Sequence, residues 1–190
     1  MLYPKGIKIS KQNNNIKYDN RGMNLENDIN ITNEHYVNTN KAFIYKKPTP
    51  IQITKVEYND RSAIIKEAFF KEPSTTDYNG LYKGMYIDFE AKETNSTTSF
   101  PLNNIHHHQI KHIENIENNK GIAFIIIRFT RIRKTYLLLG KDFIDFINNN
   151  ERKSIPISYF EEKGYEILDK YNPRCDYLKI IDDIYGGNYE

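Results

Sequence analysis

The sequence predicts an α/β domain, and three observations carry that prediction. Residues 121–129 (GIAFIIIRF) are a nearly uniform apolar run of strand length, as expected of a central strand covered on both faces. Segments 22–38 and 103–118 repeat apolar residues at helical intervals. Segments 51–56 and 86–92 alternate instead in the manner of strands. Helices and strands mixed around one buried strand give a layered α/β arrangement. At 190 residues the chain is long enough for one domain with a substantial core.

Each element follows in order. Residues 1–20 hold few apolar side chains and an Asn-Asn-Asn run, so they are expected to stay disordered until something binds. In 22–38, Leu25, Ile29 and Tyr36 share a helical face with Thr32 between them. Residues 42–46 (AFIYK) read as a short strand. Pro48 and Pro50 then preclude a helix and favour an extended entry to the alternating Ile51, Ile53 and Val56. Residues 58–76 fit no compact single element, so 51–76 is expected to protrude as a hairpin or arm. Two strands are expected in 78–91 around a turn at Lys83-Gly84. Helix 103–118 lies between Pro101 and the break at Lys120-Gly121. Beyond the central strand come a strand at 135–139 and closing helices at 142–150 and 176–185.

Composition restricts the function classes. The lone cysteine, Cys175, excludes an intrachain disulfide and a cysteine-only metal site, and a free thiol fits a reducing compartment. No run approaches the roughly 20 apolar residues of a membrane span. The opening MLYPKGIKISKQ lacks the apolar region of a secretory signal. The expectation is a soluble cytoplasmic protein without membrane association. A net charge of +2 does not announce a nucleic-acid binder, but its distribution is uneven. Lys5, Lys8, Lys11, Lys17 and Arg21 face only Asp19, leaving the rest of the chain slightly acidic. That basic arm is either a phosphate contact or a solvated tail.

The chemically informative stretch is TTDYNGLYKGMYIDFEAKET, residues 75–94. In YIDFEAK, alternation sends Asp88, Glu90 and Lys92 to one face and Phe89 and Ala91 to the other. Charged groups on an apolar strand are costly unless water, partners or a cation satisfy them. Mg²⁺ prefers hard oxygen ligands and keeps several waters, leaving room for phosphate oxygens and an attacking water. Lys92 would sit beside such an ion, where its charge stabilises a developing phosphate charge. Asp77 reaches the same place if 78–82 folds back on 86–91, and Thr75 adds a hydroxyl or carbonyl oxygen. The competing reading makes Glu90 and Lys92 a surface ion pair.

Other positions stay open. Gln109 interrupts the apolar stripe of Ile105, Ile113 and Ile116, either hydrogen-bonding in the core or reaching the metal site. Glu26 is either a supporting carboxylate or a flank charge. Arg128, Arg131, Arg133 and Lys134 surround a strand turn as a phosphate-contacting patch or a solvated hairpin end. His106-His107-His108 spreads around the helix and makes no converging three-ligand site. Cys175 has no base nearby in sequence.

Taken together, NRGMNLENDIN (20–30), KKPTPIQITKV (46–56), STTDYNGLYKGMYIDFEAKET (74–94), SFPLNN with HHQ (99–109) and RKSIP (152–156) resemble the RecU-type Holliday junction resolvases of low-GC Gram-positive bacteria. The match runs from about 19 to 185. The resemblance implies a restriction-endonuclease-like core of the PD-(D/E)XK type, with a mixed central sheet flanked by helices. It divides the chain into a flexible basic arm at 1–20 and a single nuclease domain at 21–190, bearing a stalk at about 57–76.

It further implies a homodimer that uses one or two Mg²⁺ per subunit to make paired symmetric incisions in four-way DNA junctions during recombination and repair. The stalk enters the junction centre and is linked to modulation of RecA. By the same resemblance Thr75, Asp77, Glu90 and Gln109 hold the metal, Lys92 stabilises the transition state, and Arg21 and Arg61 contact DNA. Asp88 shares the strand face of Glu90 yet lies outside the family motif, so a bend turning it to a structural partner is one expectation. The rival functions are a branched-DNA or duplex nuclease without junction preference, and a junction-binding regulator of a recombinase.

Overall fold

The computed structural model describes residues 24–59, 62–70 and 75–186. The basic arm at 1–20, Arg21 and Arg61 lie outside the described residues.

Helix α1 (Leu25–Asn38) opens the described chain, with the Asn24 side chain accepting the Glu26 N–H at 3.0 Å as its N-cap. Leu25, Ile29, Thr32 and Tyr36 are all buried, as the helical spacing predicts. Strand β1 (Phe43–Lys46) follows, and then a two-stranded hairpin, β2 (Ile51–Asn59) and β3 (Ser62–Phe70). Nearly every residue of this hairpin is exposed and its strands pair only with each other, so the expected protruding arm is a β-ribbon.

Strands β4 (Tyr78–Tyr82) and β5 (Met85–Thr94) are joined at Lys83-Gly84, whose φ values of 47° and 77° supply the left-handed pair that a two-residue hairpin needs. On β4, Gly80 lets β1 approach; a Cβ there would meet the Phe43 carbonyl at 2.1 Å. Short strand β6 (Ser99–Pro101) and a 3-10 turn (Leu102–Asn104) precede α2 (His107–Asn118). The helix expected from 103 is thus split, because the His106 N–H donates to Gln109 Oε1 at 2.9 Å and starts a new helix there. Then come β7 (Ile122–Phe129), β8 (Lys134–Leu139), α3 (Gly140–Asn149), β9 (Ser154–Pro156), α4 (Ile157–Lys163), β10 (Tyr165–Glu166) and α5 (Tyr177–Tyr185).

Six strands form one mixed sheet in the order β1-β4-β5-β7-β8-β10, with β5 and β7 parallel and every other neighbouring pair antiparallel. Each face carries its own core. Phe124 and Ile126 of β7 pack with Leu25, Ile29, Phe89, Tyr177 and Ile181 under α1 and α5. Ala123, Ile125 and Ile127 pack with Ile113, Phe143, Phe146 and Phe160 under α2, α3 and α4. The apolar run at 121–129 is therefore double-sided because its strand is covered twice. On the first face the rings of Tyr78, Phe89 and Phe124 stack across β4, β5 and β7 at 4.8 and 4.7 Å. That ladder holds the strands in register and so aims the residues on the opposite face.

Candidate active site

Register turns that ladder into a site. Tyr78 pairs with Phe89, bringing Asp77, at the entrance to β4, beside Glu90 on β5. Glu90 in turn pairs with Ile125 and Lys92 with Ile127, so the charged row lies one strand away from the apolar face that α2 and α3 cover. The strand has no register shift against either neighbour, and Asp88, Glu90 and Lys92 share one face as alternation requires.

Glu90 is fully buried, yet neither of its carboxylate oxygens has an aligned hydrogen-bond donor among the described residues. The Lys92 ammonium touches Glu90 as an ion pair and lies 3.5 Å from Asp77 Oδ2. Burial first, and then the charge of Asp77, push the Glu90 carboxyl up to about 7, against the pull of Lys92. For Lys92, burial works to lower the ammonium, but Glu90 and Asp77 outweigh it and hold it above its ordinary value. The same charges reach the buried Tyr78 phenol, which burial, Glu26, Asp77 and Glu90 all raise.

Around this pair stand the other expected residues. Thr75 is exposed, two residues before Asp77. Gln109 is buried and hydrogen-bonded at both ends, its Nε2 donating to the Thr75 carbonyl at 3.0 Å. Of the two sequence alternatives, the structure shows Gln109 hydrogen-bonded, to the His106 N–H and to the loop before Asp77. Glu26 is exposed on the first turn of α1 and pairs with Lys46 at 2.5 Å. Glu93, next on β5, accepts the Leu25 N–H at 2.9 Å and holds the start of α1.

Asp88 is also fully buried, but it is saturated. Thr76 donates to its Oδ1, while Lys47 at 2.7 Å and Tyr86 at 2.9 Å donate to Oδ2; His112 Nε2 lies 3.2 Å from the same oxygen. Donors from neighbouring elements thus satisfy it without the bend expected from sequence. Lys47 and His112 lie outside the 75–94 stretch that holds Asp88, and Thr76 and Tyr86 within it carry no charge to mark them as its partners. The one available signal was Thr76, adjacent to Thr75.

The expected arginine patch divides. Arg128 turns inward, donating to Asp28 at 2.7 Å and to Thr135 at 3.0 Å, so it ties α1 to the sheet instead of pointing at solvent. Arg131 is exposed at the β7–β8 turn. In the histidine run the rings of His106 and His108 stack at 5.4 Å.

The donor set fits a hard divalent cation. It offers carboxylates from Asp77 and Glu90, oxygens on Thr75, and two buried oxygens lacking aligned donors. Among the described residues no cluster of three or more His, Cys, Asp or Glu occurs.

A helix-flanked mixed sheet with an acidic pair and a lysine on two adjacent strands has the restriction-endonuclease-like architecture. The family model for Recombination protein U matches residues 20–183. The Holliday junction resolvase RecU of Streptococcus thermophilus is 49% identical over 181 residues, 94% of this chain and 91% of that protein. Proteins of the same name from Bacillus mycoides and Bacillus cytotoxicus are 53% and 50% identical, over 88% and 97% of this chain and 86% and 92% of their own lengths. The chain belongs to the RecU family.

Proposed function

We propose that this protein is a Mg²⁺-dependent endonuclease that resolves four-way DNA junctions by paired symmetric incisions during recombination and repair. The observation that carries the proposal is the buried Glu90 carboxylate without aligned donors, which meets Lys92 of the same strand and Asp77 from the entrance to β4. The RecU resolvases it resembles support the junction as substrate.

Asp77 and Glu90 would hold one or two Mg²⁺ per subunit, with Thr75 contributing oxygen and Gln109 bracing the Thr75 carbonyl. When bound, the cation neutralises phosphate charge and acidifies the attacking water. In the reaction the water oxygen forms a bond to phosphorus as the bond to the 3′-oxygen breaks. Lys92, kept protonated by its two carboxylate neighbours, offsets the charge that develops on the phosphate. Glu26 supports the site from α1, and Arg131 offers a phosphate contact at its rim. The exposed apolar side chains of the ribbon, among them Tyr58, Phe69 and Phe70, suit insertion into the open junction centre and contact with RecA.

A four-way junction has two equivalent strands to cut, so an isologous homodimer would match two sites to its two-fold axis. No helix among the described residues is long and apolar enough to cross a membrane, in keeping with work on DNA in the cytoplasm. The test is cleavage of a synthetic four-way junction and a matched linear duplex in Mg²⁺. Glu90→Ala should slow junction cutting by about a thousandfold or more, given the several kcal/mol that a metal supplies, while junction binding in Ca²⁺ stays near wild type. Wild-type cutting by that variant would refute the assignment, and equal cutting of both substrates would remove the junction preference.

A further inference from the structure

Lys47 lies just beyond β1, with its side chain only 14% exposed. Its ammonium donates to Asp88 Oδ2 at 2.7 Å, Thr76 Oγ1 at 2.7 Å and Thr75 Oγ1 at 3.1 Å. An ammonium has three donors, and all three are aimed at these partners. The Lys47 backbone N–H donates to the Asp77 carbonyl at 2.8 Å. One residue thus grips each member of Thr75-Thr76-Asp77, through its backbone at one end and its side chain at the other.

The grip is itself anchored. Asp88 is fully buried on β5, where continuous pairing with β4 and β7 leaves it no freedom to shift. Its remaining contacts are Thr76, Tyr86 and His112, and His112 Nε2 also lies 3.4 Å from the Lys47 ammonium. Asp77, by contrast, stands ahead of the first residue of β4 and faces a like-charged partner in Glu90. The Lys92 ammonium lies between the two, against Glu90 and 3.5 Å from Asp77 Oδ2; strand pairing fixes Glu90, whereas the place of Asp77 depends on the loop ahead of β4.

We infer that Lys47, anchored on Asp88, is the positioning residue that presents Thr75 and Asp77 to the divalent cation. The inference rests on the reading that Asp77 and Glu90 hold that cation. Lys47 touches neither the reacting phosphate nor the metal, and acts through the loop that it holds. Groups that orient metal ligands in this way typically change metal affinity by about 10- to 100-fold.

The experiment uses full-length Lys47→Met and the double variant Lys47→Met/Asp88→Asn, with Glu90→Ala as control. The single change leaves Asp88 as a buried charge without its cation; the double change removes both charges and keeps a folded protein to measure. Affinity for Mn²⁺ is read by calorimetry, junction binding in Ca²⁺ by titration, and single-turnover cleavage across a Mg²⁺ series. Mn²⁺ affinity is expected to fall about 10- to 100-fold. Cleavage should fall at low Mg²⁺ and recover as Mg²⁺ is raised, with junction affinity essentially unchanged. Unchanged Mn²⁺ affinity in a folded variant overturns the inference. So does a weakened junction affinity with a shallower salt dependence, which would make Lys47 a phosphate contact. Should Glu90→Ala itself keep wild-type Mn²⁺ affinity, the metal assignment fails; should it lose that affinity while the Lys47 variants retain it, only the positioning role fails.

Discussion

Asp88 and Glu90 stand two residues apart on one face of one strand, and both are completely buried. Their surroundings are opposite. Asp88 receives Thr76, Lys47 and Tyr86 and lies against His112. Glu90 has an ammonium against it, a second carboxylate nearby and no aligned donor on either oxygen. Burial with too few aligned donors is a standing electrostatic cost, whereas burial with a full set of donors makes a rigid joint. The strand therefore carries a fully hydrogen-bonded carboxylate and a candidate metal ligand side by side. What separates them is the supply of partners from the segments that follow β1 and precede β4, from Tyr86 on β5 itself and from α2.

The sharpest way to break this comparison is to neutralise each carboxylate in turn. Asp88→Asn leaves Lys47 buried without its counter-charge, and breaking such a pair costs about 3–5 kcal/mol. Urea denaturation should show that loss; a change below about 1 kcal/mol would mean that Asp88 is no more firmly engaged than Glu90.

Glu90 should show the opposite behaviour, and pH reveals it. Burial and the Asp77 charge push its carboxyl from the ordinary 4.5 up to about 7 in the folded, metal-free protein. Between those values the folded state binds the extra proton, so this group favours folding at low pH and the advantage is lost as pH rises through 7. The span amounts to about 3 kcal/mol at most. Glu90→Gln should flatten that slope and make the metal-free protein more stable than wild type at pH 8, by about 1–2 kcal/mol. Chelator-treated samples melted from pH 4.5 to 8 test this, and a parallel slope in variant and wild type would reassign the titration to another group.

The smallest effect belongs to an ion pair with neither burial nor a network. Lys66 and Glu57 meet at 2.6 Å across the ribbon with about half of each side chain exposed. Glu57→Gln should alter stability by less than about 0.5 kcal/mol, with no change in Mn²⁺ affinity. A larger loss in thermal melts would show that the ribbon is coupled to the body of the fold.

Legibility followed range. The helical face of α1, the turn at Lys83-Gly84 and the double-sided β7 were readable because each depends on neighbours within one element. Strands β6 and β9, with three residues apiece, and the short helix α4 were missed. Elements that brief exist through pairing and packing with distant segments, for which a local pattern has no sign. Arg128 shows the same limit from the other side. Its charge pattern marked a surface patch, yet Asp28, 100 residues earlier, draws it inward.

By itself the sequence determined which residues the candidate site contains. Asp77, Glu90 and Lys92 follow from alternation along one strand and a turn of known type, joined to a family motif long enough to identify. Only the tertiary structure decided what each acidic group has around it. Asp88 and Glu90 are indistinguishable by spacing, burial or charge, because donors that satisfy a carboxylate come from whichever elements pack on it. Lys47, 41 residues before Asp88, supplies the cation for one. No equivalent set of donors reaches Glu90, which has the Lys92 ammonium against it and no aligned donor on either oxygen.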